Sequence, residues 1–266
     1  MSNASKPNRQ YKASMFSALF GEPALSLEVF NAFSPVQFPP DTPVTMETLD
    51  DVLFMNRVND LAFLIEDLLI VLIEHQSSLN ENLPLRLLLY VARVYEKIVS
   101  NDLLYRHARV TIPTPQFIVL YNGEQPLPNG EDKMTLKLSD AFHKLPAFSD
   151  KIPLELAVTV YNINVGHNED ILARSATLKA YSTFIATVRK HLAHGRLLEE
   201  AIQHAITECV DAGVLVTFLK RHASEVLNML NQEWNTETYG EVRFIEGMEQ
   251  GMQQGIQQGI QQGIQL

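Results

Sequence analysis

The sequence has 266 residues, of which 46% are hydrophobic, and its formal net charge is −10. A chain of this size can bury a proper hydrophobic core, but its acidity opposes tight non-specific binding to nucleic acid. The one cysteine excludes a disulfide framework, and no apolar run reaches the roughly 18 residues that a membrane span needs. The polar N-terminus does not resemble a signal peptide, so we expect a cytoplasmic protein with no membrane partner.

The first part of the chain predicts two short helices followed by the start of a sheet. Residues 11–20 and 25–33 carry apolar side chains at helical spacing. The proline-rich stretch 38–44 predicts a loop, and residues 53–55 predict a first strand.

Two β-rich apolar runs, 61–65 and 69–73, predict an antiparallel hairpin. If the chain reverses between them, paired residues have numbers that sum to about 134, which places Asp60 opposite Glu74. Directly opposed side chains have Cβ atoms roughly 5 Å apart. One metal ion can contact two carboxylates at that separation.

Strand alternation adds Gln76 to this pair. Gln76 points to the same face as Glu74, whereas His75 points to the opposite face, where we expect a hydrogen-bonded structural residue. Asp60, Glu74 and Gln76 therefore form a cluster that the strand period alone predicts. Acids also flank strands simply because strands end at the surface, so the spacing leaves a metal site and an ordinary strand end both open.

Residues 84–100 predict a helix with a basic stripe. The stripe repeats at steps of four, three and four residues, which is one helical face, and it consists of Arg86, Tyr90, Arg93 and Lys97. Such a face suits a nucleic-acid phosphate backbone, or it is a solvated surface with no ligand. The face predicted to pack on the sheet consists of Leu85, Leu88, Leu89 and Ala92.

Two further strands complete the predicted sheet. Residues 117–121 form a compact apolar run that ends at the turn pair Asn122-Gly123, and 154–163 alternate in part. A loop is predicted between them, at 125–132. Strands mixed with a crossing helix predict the α/β class.

After Gly166 the pattern becomes helical. The predicted helices cover 171–191, 197–209 and 224–234. The predicted division of the chain is a core at 1–165, a helical region at 166–240 and a tail at 241–266.

The tail places a glycine at every fourth residue, each followed by Met or Ile. Glycine costs about 1 kcal/mol per residue in a helix, so an isolated tail is expected to be unfolded. In a pair of chains, the glycines permit close backbone approach while the Met and Ile side chains become buried. The repeat therefore allows two interpretations. The tail is either a stalk through which the chain forms a homo-oligomer, or a disordered low-complexity segment.

Several segments resemble the PD-(D/E)XK nuclease superfamily, and specifically its transposase branch, which includes the recombination-promoting nucleases. They are NDLAFL (59–64), IEHQSSLNENLPLRLLLYVARVYEKI (73–98) and TPQFIVLYNG (114–123), supported by LKLSDAF (136–142) and VYNIN (160–164). The resemblance implies a restriction-endonuclease-like αβββαβ core and Mg²⁺ or Mn²⁺ as cofactor. It also implies hydrolysis of DNA phosphodiester bonds in connection with mobile elements or recombination.

The same resemblance assigns roles to residues of this chain. Asp60 and Glu74 match the two acids of the family, which bind the metal. Gln76 stands where the superfamily has a lysine, and glutamine can orient a water molecule but supplies no charge. Arg86, which lies inside the matched segment, is the candidate replacement cation and phosphate contact.

The N-terminal segment departs from the family at one further position. Residues 8–21 resemble the opening helix, in which an acid is expected where this chain has Ala13. Glu28 is a possible additional acid. With Gln76, this departure leaves a second function open, in which a catalytically inactive nuclease fold acts as an oligomeric interaction scaffold.

Overall fold

A mixed six-stranded sheet organises the part of the chain that the structure describes. The computed structural model describes residues 15–47, 60–143, 152–231 and Trp234, and of Asp60 it describes the backbone. The strands are β1 (Val44–Glu47), β2 (Asp60–Ile65), β3 (Leu69–Gln76), β4 (Thr114–Tyr121), β5 (Lys133–Lys137) and β6 (Ala157–Asn162). Their order is β1-β2-β3-β4-β6-β5, and β3, β4 and β6 run parallel while the other neighbours pair antiparallel.

Helices cover both faces of this sheet. The helices are α1 (Met15–Phe20), α2 (Pro23–Phe33), α3 (Leu83–Ile98), α4 (Asn101–Leu104), α5 (Glu169–Leu172), α6 (Ala176–Ala193), α7 (Leu198–Asp211) and α8 (216–231). Helix α3 packs on one face, and helices α1, α2, α6, α7 and α8 share a core with the other. The predicted fold class is confirmed, since a mixed sheet is flanked by helices and followed by a helical C-terminal region.

Strand β3 illustrates why the sheet is buried on both sides. Val71 and Ile73 face the core shared with α1, α2 and α6, while Ile70 and Leu72 face α3. A strand between helical layers reads as a continuous apolar run, because neither face meets water. Within the described residues, no helix is long and apolar enough to cross a membrane.

The prediction of which face of α3 packs on the sheet was wrong. Leu85 and Leu89 are 43% and 49% exposed. The buried face consists of Leu83, Pro84, Leu87, Tyr90, Val91 and Val94. The predicted face and the buried face are both apolar over the first two turns of α3. Toward the end of the helix they differ, because the predicted face continues from Ala92 to the exposed Glu96, whereas the buried face continues with apolar residues.

Two elements were missed in the sheet prediction. Val44 begins β1, whereas the predicted loop ended there, and the strand predicted at 53–55 lies outside the described residues. Strand β5 is a short edge strand that pairs with β6 alone. An edge strand of five residues depends on pairing with its neighbour, which local sequence does not report.

The helix predicted at 171–191 is divided into α5 and α6. Ser175 precedes α6, and its hydroxyl accepts a hydrogen bond of 3.0 Å from the backbone N–H of Leu178. This side-chain cap starts a new helix after a break. Ala13 and the repeat tail at 241–266 lie outside the described residues.

The assigned face of α3 predicts unequal effects of two leucine substitutions. Leu87 is 1% exposed and Leu89 is 49% exposed. Leu87→Ala should lower the free energy of unfolding by about 2–4 kcal/mol, because it opens a cavity against the sheet. Leu89→Ala should change it by less than about 0.5 kcal/mol. Urea denaturation of both variants measures the difference, and equal losses would contradict the assigned face.

Candidate active site

The predicted hairpin register is confirmed, because Asp60 pairs directly with Glu74. The turn between β2 and β3 contains Glu66 and Asp67, whose φ angles of 50° and 55° lie in the left-handed region. Two successive left-handed residues match the twist of a tight hairpin. Positions 60 and 74 therefore lie on one face of the sheet.

The Glu74 carboxylate is buried and contacts the side chains of Arg86 and Gln76. Its residue is 1% exposed. The Oε1 atom lies 2.6 Å from Arg86 Nη2 and accepts a hydrogen bond of 2.5 Å from Gln76 Nε2. A buried carboxylate needs a counter-charge and hydrogen bonds, since water no longer solvates it. The structure thus brings Glu74, Gln76 and Arg86 together on the side of the sheet that α3 covers.

Gln76 presents a carbonyl oxygen inside this site. Its amide nitrogen must face Glu74, because a carboxylate only accepts hydrogen bonds. The opposite atom, Oε1, is buried and has no hydrogen-bond donor among the described residues. Gln76 therefore offers the site an acceptor, but no charge.

Tyr90 orients the Arg86 guanidinium. The Tyr90 hydroxyl accepts hydrogen bonds of 3.2 Å from Arg86 Nε and 3.1 Å from Arg86 Nη2. Tyr90 lies one turn after Arg86 on α3, and its hydroxyl holds the guanidinium in the direction of Glu74.

The basic stripe predicted on α3 divides into two halves. Arg86 and Tyr90 belong to the Glu74 site, whereas Arg93 and Lys97 are exposed. Arg93 forms a surface ion pair of 2.6 Å with Glu96. The role of these four residues in nucleic-acid binding stays a prediction.

His75 points to the opposite face, as strand alternation predicts. It stacks on Phe16 with ring centroids 4.8 Å apart, and its Nε2 atom lies 3.1 Å from the Tyr181 hydroxyl. Burial, together with the charge of Arg189, lowers the pKa of His75 to about 3. A neutral imidazole therefore supports the core behind the site.

The ends of β3, β4 and β6 form a polar edge that sequence reasoning missed. The Asn122 N–H donates 3.0 Å to the Gln76 carbonyl, and a Cβ on Gly123 would lie only 2.1 Å from the Ser77 carbonyl oxygen. Arg189 of α6 donates to the Asn122 carbonyl and, at 2.7 Å, to Asn164 Oδ1. The carboxyl ends of parallel strands meet at one edge, so these contacts hold the end of β3 in place. The YNG and VYNIN segments carry Asn122, Gly123 and Asn164 and were the available signal.

Glu28 has partners of its own at the start of α6. Its Oε1 atom accepts from the Ser175 hydroxyl at 2.6 Å and from the Thr177 N–H at 3.0 Å, and its Oε2 atom accepts from the Thr177 hydroxyl at 2.9 Å. These bonds satisfy donors at a helix N-terminus, where negative charge is favourable. Within the described residues, none of the partners of Glu28 belongs to the Glu74 site.

A family match establishes the kinship of the chain. Residues 47–212 match the family described as "Putative transposase, YhgA-like", a span of more than half the sequence. The chain belongs to this transposase family. Membership associates it with mobile elements and implies DNA as its partner. The chain matches no curated protein and no solved structure.

The donor atoms of this transposase-family site fit a hard divalent cation in type. Glu74 supplies a carboxylate, Gln76 Oε1 is an acceptor with no donor among the described residues, and Asp60 holds the opposed strand position. Oxygen ligands suit Mg²⁺ and Mn²⁺. Among the described side chains, no group of three His, Cys, Asp or Glu residues is placed to hold a metal.

Two arginine substitutions on α3 should differ in their effect on stability. Arg86→Gln removes the Arg86 charge from beside the buried Glu74 carboxylate and should cost about 3 kcal/mol in the free energy of unfolding. Arg93→Gln removes an exposed ion pair and should cost less than about 1 kcal/mol. Chemical denaturation in the presence of EDTA measures both. Similar costs for the two variants would show that the Glu74–Arg86 pair does not support the fold.

Proposed function

We propose that this transposase-family chain is a metal-dependent DNA endonuclease that hydrolyses phosphodiester bonds. The supporting observation is the buried Glu74 carboxylate, which faces the Asp60 position and is held by Gln76 and Arg86 at 2.5 and 2.6 Å. A buried carboxylate with an acceptor and a cation around it is costly for stability and typical of functional sites. Family membership implies DNA as a partner, which supports DNA as the substrate class of this proposal.

In this proposal Asp60 and Glu74 hold Mg²⁺ or Mn²⁺. The chemistry that the bound ion supplies is Lewis acidity, which lowers the pKa of water and offsets charge on the phosphate. Glu74 would be shared between the ion and Arg86, since both are cations that the carboxylate attracts.

Gln76 would orient the attacking water. Its Oε1 atom can accept a hydrogen bond from that water, while Nε2 stays on Glu74. Because the amide is neutral, it does not replace the charge of the lysine that the superfamily has at this position.

Arg86 would supply the missing charge. Its guanidinium stays protonated at any physiological pH, and its planar set of N–H groups matches phosphate oxygens. Tyr90 keeps that plane directed at Glu74, so a phosphate bound beside Glu74 would lie next to the cation.

Plasmid nicking with Mg²⁺ or Mn²⁺ tests the proposal. Glu74→Gln should lower the nicking rate at least about 100-fold, because it removes the carboxylate that attracts the ion and nearly preserves shape. Glu200→Gln is the matched control, since Glu200 is an exposed acid on α7, and this variant should nick at the wild-type rate.

The outcomes of this experiment separate the two functions that the sequence left open. Equal nicking by wild type and Glu74→Gln would assign the activity to a contaminant or another site. No nicking by either protein, with no rise in wild-type melting temperature on adding metal, would favour the inactive interaction scaffold.

A charge exchange tests the role assigned to Arg86. Arg86→Gln should lower the nicking rate about 100-fold, because the cation near the phosphate is lost. Adding Gln76→Lys to Arg86→Gln should recover much of that rate, since it returns a cation at the superfamily position. Melting temperatures of both variants report whether they are folded. A folded double variant without recovered activity would contradict the idea that Arg86 replaces the lysine.

A further inference from the structure

The contacts of α3 leave open which residues bind DNA phosphates away from the Glu74 site. Arg86 is paired with Glu74, and Arg93 is paired with Glu96. The chain as a whole carries a net charge of −10, so its overall field repels DNA. Attraction must therefore come from local cations that no carboxylate neutralises.

The 105–109 loop, Tyr105-Arg106-His107-Ala108-Arg109, carries such cations. Arg106, His107 and Arg109 are exposed, and none forms a side-chain hydrogen bond or ion pair with a described residue. Tyr105 is 89% exposed, the largest exposure among the large apolar and aromatic side chains in the described part of the chain. Other exposed cations without a described carboxylate partner, such as Lys220 and Arg221 on α8, have no aromatic side chain of comparable exposure beside them.

A groove adjoins this loop. The groove has a volume of about 240 Å³. Leu103 and Val110, which lie on either side of the loop in sequence, both line it. Most of the lining is apolar and includes Leu64, Ile98 and Ile112. The lining also contains one acid, Asp67. Apolar walls suit the face of a nucleobase, and a carboxylate accepts hydrogen bonds from the amino groups of bases while it repels phosphate.

The groove lies at the far end of the strand that carries Glu74. The Thr114 N–H donates 2.8 Å to the Leu68 carbonyl, which places the start of β4 beside the start of β3 at this end. Glu74 lies five residues along β3 from Leu69, or about 17 Å at the rise of a strand. That distance corresponds to about five base-pair steps of B-form DNA, and to fewer nucleotides of an extended single strand.

We propose that the 105–109 loop and its groove bind an unpaired stretch of the DNA substrate. Tyr105 stacks on a base, Arg106 and Arg109 contact the flanking phosphates, and the groove accepts a neighbouring base. A base must leave its pair before an aromatic side chain can stack on its face, so the loop favours single-stranded over duplex DNA. The inference rests on DNA being the substrate of the proposed function.

Binding of a fluorescent single-stranded oligonucleotide to the full chain in EDTA tests this inference without cleavage. Tyr105→Ala should weaken binding about 5- to 150-fold, because one stacking contact is lost. Arg106→Ala combined with Arg109→Ala should reduce the slope of log affinity against log salt by about 1.4, since two phosphate contacts are lost. Lys220→Ala combined with Arg221→Ala removes the same charge from α8 and should leave affinity within about twofold of wild type, with the slope unchanged.

A fully paired duplex serves as the second probe. The double arginine variant should also weaken duplex binding, whereas Tyr105→Ala should not, because paired bases offer no free face. Tyr105→Ala binding single strands as tightly as wild type would overturn the inference, as would equal losses from the α8 control. The inference would also be overturned if the loop variants bound DNA like wild type but differed from it in molar mass by light scattering. The loop would then be an interface between protein chains.

These readouts are separate from the nuclease test. If wild type nicks plasmid and the loop variants bind DNA normally, the inference fails and the proposed function stands. If the loop variants lose binding while wild type never nicks, the loop is a DNA site and the nuclease proposal fails.

Discussion

The burial of the Glu74 carboxylate is the constraint on which the arrangement around β3 depends. Removing a carboxylate from water costs several kcal/mol unless a cation and hydrogen bonds replace the water. Gln76 supplies the hydrogen bond from the same strand, and Arg86 supplies the cation from α3. Helix α3 therefore packs in the orientation about its axis that turns Arg86 and Tyr90 toward the sheet. The same orientation buries Leu87 and leaves Leu85 and Leu89 in water, so one ion pair and one apolar stripe select a single packing.

The ion pair also has an electrostatic consequence for a DNA partner. An arginine paired with a buried acid contributes little attraction at a distance, because the two charges cancel. Beside the acid, however, the guanidinium keeps its charge and its geometry for a phosphate that arrives there. In the proposed function, attraction of DNA to an acidic chain and stabilisation of charge at the reacting phosphate are therefore tasks for different cations. The separation of the 105–109 loop from Arg86, at opposite ends of β3, agrees with that division.

The two faces of β3 behave differently although they alternate residue by residue. Glu74 and Gln76 lie beside the Arg86 cation on the α3 side, while His75 between them is stacked on Phe16 and kept neutral by burial and by the nearby Arg189. The end of the strand is held through Asn122, whose N–H donates to the Gln76 carbonyl and whose own carbonyl accepts from Arg189. Gly123 permits this close approach, since a side chain there would overlap the Ser77 carbonyl. The site therefore rests on a rigid strand end rather than on a loop.

The sequence by itself determined the hairpin, its register and the face that Glu74 shares with Gln76, because strand alternation and a short turn leave one pairing for two apolar runs. It also carried the family, through segments that the match at 47–212 covers. Tertiary structure decided the buried face of α3 where two apolar stripes compete, over the first two turns, because that choice also depends on the pairing of Arg86 with Glu74. It likewise decided the pairing of edge strand β5 with β6 and the position of Glu28 at the start of α6. In each case the partner lies far away in sequence, and local spacing contains no information about which distant group will satisfy a buried charge or an open strand edge.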